Sequence, residues 1–201
     1  MRDKLMIIGA GGQGAVCADV AKLCGYKTIE FLDDIRLEKE NVKGPTSLLP
    51  SVVGDYDIFV AIGDNRIRRS FIEKAISANG DLATLIHPSS IISENVKIGA
   101  GTVVTAGAVI NPGAVVGIGV IVNTLSSVDH NCELGDYSHI GVGSHLAGTV
   151  KTGEETFVGA GAVIINNISI APKTVIGAGA VVIKDLTETG TYVGVPVRKI
   201  K

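Results

Sequence analysis

IGAGTVVTAGAVINPGAVVGIGVIVNT, residues 98–124, has an aliphatic residue at every sixth position, starting at Ile98. The series extends in both directions, from Ile86 to Val182, and Thr152 is its one non-aliphatic member. A small residue often follows the aliphatic one, and a second small or β-branched residue often lies four places on, as at Thr102, Ala108, Ala114 and Ser126. A period of six matches neither the 3.6 of a helix nor the two of a simple strand. It describes short extended segments joined by tight corners, each turning one aliphatic side chain inward, with stacked coils pairing backbone to backbone. Periodicity leaves the hand open, and the general rule for parallel crossovers expects a right-handed path.

Residues 1–84 follow a different rhythm. Strands at 4–9, 28–33 and 57–62 alternate with helices at 13–25 and 65–79, the pattern of a small parallel sheet covered by helices. The first strand ends in Gly9-x-Gly11-x-x-Gly14, with Asp33 and Asp34 about 20 residues on, the spacing of a dinucleotide-binding turn. A full dinucleotide fold needs two mononucleotide halves, and the hexad repeat begins before a second half can form. The expectation is therefore a half-Rossmann domain (1–84) taking one nucleotide diphosphate at a helix N-terminus, followed by a solenoid domain (85–201). A nicotinamide dinucleotide is not expected.

The formal net charge of −2, without a dense Lys/Arg cluster, gives no electrostatic basis for binding nucleic acid or an anionic membrane. No apolar run approaches the ~20 residues needed to span a bilayer, and the N-terminal apolar run is too short for a signal peptide. Cys17, Cys24 and Cys132 lack metal or disulfide spacing, which fits a reducing, cytoplasmic setting. No metal is expected.

The hexad segments 98–124 and 157–185 resemble the hexapeptide-repeat acyltransferases, and YVGVPVRKI at 192–200 resembles that family's closing segment, with Val197 in place of its usual Ala. Joined to IIGAGGQGAVCADVAKLCGY (7–26), FLDD (31–34), AIGDNRIRR (61–69) and IHPS (86–89), they are similar to its sialic-acid O-acetyltransferase and UDP-4-amino-sugar N-acetyltransferase group, the bacillosamine-pathway branch above all. The resemblance implies a left-handed parallel β-helix, a homotrimer, acetyl-CoA as co-substrate, and a nucleotide sugar held by the N-terminal domain through Gly11, Gly12, Gln13, Asp33, Asp34 and Gly63. The family has Ser and His where this chain has Gly11 and Gln13.

Acetyl transfer to an amine needs a base for the acceptor's proton, and a histidine titrating near neutrality suits that role. His87, before Pro88, is read as shaping the linker. His130, His139 and His145 crowd one stretch of the repeat, and His130 is expected at a corner with its ring outward. The family's base lies in a His-acid-Cys triplet, which aligns with His130-Asn131-Cys132, so the resemblance makes His130 the general base. Asn131 stands where the family has a carboxylate, and an amide orients a ring without supplying charge. Asp129 or Glu133 substitutes, or the enzyme works with a less basic histidine. By the same resemblance His139 contacts the thioester region, and Ala160 and Ala178 the pantetheine arm. His145 has no matched role. Cys132 is read as a small inward residue, not a nucleophile. The readings left open beside N-acetylation are O-acetylation of sialic acid or another sugar, and a weakly active trimeric binding homologue.

Overall fold

The computed structural model describes residues 2–201, in two compact units, the first ending at residue 88 and the second covering 89–201. In the first, β1 (Lys4–Ile8) and β2 (Thr28–Leu32) pair in parallel, and β1 also pairs in parallel with a later strand, Asp57–Val60. Residues 5–8 of β1 are fully buried, as expected of the central strand of a sheet covered on both faces. Helix α1 (Gly12–Leu23) follows the glycine turn and turns Gly14, Cys17, Ala18, Val20 and Ala21 inward.

Residues 42–52 form short elements that the sequence pattern does not reveal, among them a 3-10 turn at Thr46–Leu48. β3 (Val42–Gly44) adds an edge strand beside β2, and α2 (Leu49–Val52) makes one turn before β4 (Asp57–Val60). The sheet order is β3-β2-β1-β4. A three-residue edge strand with Lys43 at its centre carries too few apolar positions to show a period. α3 (Asn65–Ser77) begins where Asp64 caps it, its Oδ1 accepting from the Ile67 N–H at 2.8 Å.

The second unit is a parallel β-solenoid. Its strands are two residues long, and each pairs with the strand three hexads away: Val115–Val116 lies between Lys97–Ile98 and Glu133–Leu134, and Ile121–Val122 between Val103–Val104 and His139–Ile140. Three faces result. The inward aliphatics Val104, Ile110, Val116, Val122 and Val128 are buried in one core with Cys132 and Leu134, each contributing about 1.5–3 kcal/mol by the area it removes from water. Thr152 fits this series because its hydroxyl accepts from the Gly135 N–H at 3.2 Å.

From residue 101 onward the corners are turned by a residue in the left-handed region, again at intervals of six: Gly101, Gly107, Gly113, Gly119, Leu125, Asn131, Tyr137, Gly143 and onward to Gly179. Glycine and asparagine enter this region at least cost. Seven of the 26 glycines occupy these left-handed corners.

Candidate active site

The glycine turn of the first unit is built around Asp33. Its Oδ2 accepts from the Ala10 N–H at 2.8 Å, and its Oδ1 accepts from the N–H groups of Ile35 and Arg36 at 2.8 and 2.9 Å. Burial alone would raise its carboxyl pKa, but these three N–H donors and the Arg36 charge hold it below the usual carboxylate range. Both oxygens of Asp33 therefore accept from backbone N–H groups and hold the turn in shape. Asp34 is exposed and accepts from the Thr46 N–H and hydroxyl.

Gly14 is required by packing, since a Cβ there would lie 2.1 Å from the Gly9 carbonyl oxygen. Gly12 and Gly63 face open space, and Gly11 caps α1 with no side-chain bond to its first turn. Gln13 turns back to Cys17, its amide 3.5 Å from the sulfur. Burial pushes that thiol up to about 12, which makes it inert. Two cations that sequence reasoning passed over border the same turn. The Arg36 guanidinium lies 3.7 Å from where a Cβ at Gly11 would be, and Lys39 Nζ donates to the Ala10 carbonyl at 2.8 Å. Their signal was two basic residues shortly after Asp33-Asp34, unremarkable until β2 and β3 fold them back.

In the solenoid, the three histidines that crowd the sequence are separated by the coil. His130 occupies a corner, between the strands Ser127–Val128 and Glu133–Leu134, and its ring is exposed. Gly148, one coil on, makes room for it: a Cβ at 148 would lie 2.4 Å from His130 Nε2. Asn131 takes the left-handed corner position, φ +56°, and its amide lies 3.2 Å from His130 Nδ1. Asp129 Oδ1 accepts from the Asn111 amide and from the His130 backbone N–H, both at 2.7 Å. Those two donors and the neighbouring imidazole charge keep the Asp129 carboxyl below its ordinary range despite partial burial.

His139 lies on another face, buried in a strand between Ile121 and Phe157. Its Nε2 is 3.1 Å from the Asn123 amide, and its ring meets Phe157 edge-on at 5.1 Å. The corner that follows this strand is lined by exposed Ala160 and Ala178, adjacent in the stack through the Gly179 N–H bond to the Ala160 carbonyl at 2.8 Å. Gly143, Gly161 and Gly179 turn that corner, with nothing within 4 Å of where their Cβ atoms would be. Leu125 and Val142 are exposed in the earlier coils of the same corner, and from Ala160 to Gly179 only alanine and glycine line it, a stretch of edge a long flexible chain can lie against.

His145 lies on the third face, its Nδ1 2.9 Å from the Ser127 hydroxyl. It borders a cleft of about 370 Å³ together with Asn111, Asp129 and Asn166 over an aliphatic floor. Cys132 is buried and its thiol pKa raised, consistent with a packing role. Among the described residues no group of His, Cys, Asp and Glu could hold a metal ion, and no helix is long and apolar enough to cross a membrane. The chemistry available is an exposed imidazole with an amide and a carboxylate beside it, on an edge distinct from the bare corner of Ala160 and Ala178.

Comparison with known proteins identifies the family. Residues 4–75 match the PglD N-terminal domain family. The whole chain is 40% identical to the acetyltransferase domain of PglB from Neisseria gonorrhoeae, solved with acetyl coenzyme A, with a TM-score of 0.95 and full coverage of both chains. It is 36% identical to a variant of perosamine N-acetyltransferase from Caulobacter crescentus, solved with CoA and GDP-perosamine, covering 98% of this chain and 97% of that one with a TM-score of 0.93. Among curated proteins it is 33% identical over 106 residues to UDP-N-acetylbacillosamine N-acetyltransferase from Bacillus subtilis, an alignment covering 49% of each, so the match spans about half the length of that relative. These likenesses fix the solenoid as the left-handed β-helix, against the general crossover rule.

Proposed function

Because this chain belongs to the amino-sugar N-acetyltransferases built on a left-handed β-helix, we propose that it transfers the acetyl group of acetyl-CoA to the amino group of a nucleotide-linked sugar, a UDP-4-amino-4,6-dideoxy sugar, with His130 as general base. The observation that carries this reading is the placement of His130, whose ring projects from the prism with Nε2 over the gap left by Gly148. His130 takes the proton from the sugar ammonium or from the amine as it attacks. The amine adds to the thioester carbonyl, the tetrahedral adduct collapses, and CoA leaves as its thiol with a proton returned to sulfur. His139, positioned by Asn123, faces the thioester, and the pantetheine arm follows Ala160 and Ala178.

Gly11, Gly12 and Gly63 offer bare backbone to the nucleotide diphosphate, with Gln13 and Asp34 at its margin and Asp33 holding the turn in shape. The UDP specificity is supported by the Bacillus subtilis relative, whose name specifies a UDP-sugar. A cytoplasmic location suits such a substrate.

His130 and the Ala160–Ala178 edge occupy different corners of one prism. A cleft between two copies sets corner against corner, so a homotrimer completes the site. The face between those corners supports this: Ile91, Val163, Ile165 and Ile183 are exposed along it, whereas the face carrying Lys97, Glu133 and Lys151 is charged.

The test is release of free thiol from acetyl-CoA, with UDP- and GDP-linked 4-amino sugars and sialic acid as acceptors, for the native chain and His130→Ala. Rapid release with a UDP-4-amino sugar, abolished by the substitution, is the expected result. Turnover with sialic acid alone, or full activity of His130→Ala, refutes it.

A further inference from the structure

Asn131 cannot carry charge, so the imidazolium that forms on His130 during turnover needs its counter-charge from elsewhere. The segments stacked against residues 127–134 are 109–116 on one side and 145–152 on the other. The first of these holds no titratable side chain, and the second holds His145 and Lys151. On the His130 segment itself are Asp129, Cys132 and Glu133. Cys132 is a buried neutral thiol. Glu133 is paired with Lys151 at 2.8 Å on the charged face, and His145 is bonded to Ser127. Asp129 is the remaining carboxylate, and it is fixed in place: its Oδ1 takes the Asn111 amide and the His130 N–H, both at 2.7 Å.

We propose that Asp129 is the electrostatic partner of His130, and that Asn131 only orients the ring. Two tasks, one of charge and one of geometry, are thus divided between the residues on either side of the base. Asn131 suits the second task for a local reason. The corner demands positive φ, which asparagine accepts readily, and from that position its carboxamide reaches Nδ1. With Oδ1 accepting from Nδ1–H, the lone pair of Nε2 is free on the side toward Gly148. The two ends of a carboxamide are near-isosteric, so this orientation needs only a rotation of the amide group. Asp129 touches the backbone of His130 and not its ring, so it acts as a positioning and charge-supplying residue.

This inference rests on His130 being the base, and the experiment separates the two. The His130 ring is titrated by NMR in the native chain, Asp129→Asn, Glu133→Gln and Asp129→Asn/Asn131→Asp, and the acidic limb of kcat/KM is followed in parallel. Asp129→Asn is expected to lower the titration midpoint, with the kinetic limb moving equally and KM for acetyl-CoA unchanged. Glu133→Gln should leave both in place, and Asn131→Asp in the Asp129→Asn background should restore them. In the native chain, raising salt from low ionic strength to 1 M should lower the midpoint by screening the pair, a measurement that needs no variant to fold. An unchanged midpoint in folded Asp129→Asn, a shift in Glu133→Gln instead, or no salt response overturns the inference. Activity surviving in His130→Ala overturns the base assignment while the NMR arm still reads Asp129.

Discussion

Gly148→Ala tests the active-site geometry without altering any group that carries the chemistry. The added methyl carbon would lie 2.4 Å from His130 Nε2 and 2.5 Å from Cε1, where ordinary contact begins at 3.4 Å, so the ring must retreat by about 1 Å at its tip. Gly148 is not in the left-handed region, so alanine fits the backbone there. The group displaced is the end of an exposed, rotatable side chain, and the stability cost is expected to be under about 1 kcal/mol. Catalysis should suffer more, because a displacement of about 1 Å of a catalytic group can cost on the order of a hundredfold in rate. The assay is thiol release under saturating acetyl-CoA and acceptor, paired with thermal unfolding. The expected pattern is a kcat reduced by about 30- to 100-fold, KM for acetyl-CoA within about twofold, and a melting point within a few degrees of native. A Gly148→Ala enzyme with kcat within about threefold of native would refute the placement of the base.

Gly14→Ala sets a methyl carbon 2.1 Å from the Gly9 carbonyl oxygen; backbone cannot swing aside as a side chain can, so thermal unfolding should show a loss of more than about 3 kcal/mol or no folded first unit. Asp33→Asn should cost about 1–3 kcal/mol by denaturant titration, through loss of a charged acceptor shared by three N–H donors. Because the folded carboxyl is depressed, its stabilisation is complete above the unfolded value of about 3.9 and is lost as pH falls through the lower folded value; Asp33→Asn should flatten the acid limb of a stability–pH curve in that window. The native chain should sediment as the proposed homotrimer, and Ile165→Lys, on the exposed apolar face, as a monomer with an unchanged far-UV spectrum. Ala160→Phe, at the bare corner, should raise KM for acetyl-CoA at least tenfold and leave the acceptor KM nearly unchanged.

The sequence by itself determined that the second unit is a solenoid of short strands and tight corners, because a period of six repeated through some hundred residues buries its aliphatics in no helix and no simple strand; the hand of the coil was not in that pattern. The turn Gly9-x-Gly11-x-x-Gly14 and the α/β order of the first unit were legible for the same kind of reason: each is a local pattern whose physics acts over a few residues. β3 and α2 were not, since three- and four-residue elements hold too little periodicity to stand out. Asp33 read as a ligand-binding residue, and only the folded turn shows both its oxygens taken by backbone N–H groups. The histidines show the limit most clearly. His130, His139 and His145 lie within sixteen residues of one another in sequence, yet a coil with three faces sends them to a corner and two different sheets. Their true neighbours are residues one coil away, Gly148, Phe157 and Ser127. Period-six sequence fixes that a side chain points in or out. What it meets there depends on the residue eighteen positions away, and only the stacking of coils brings that residue into contact.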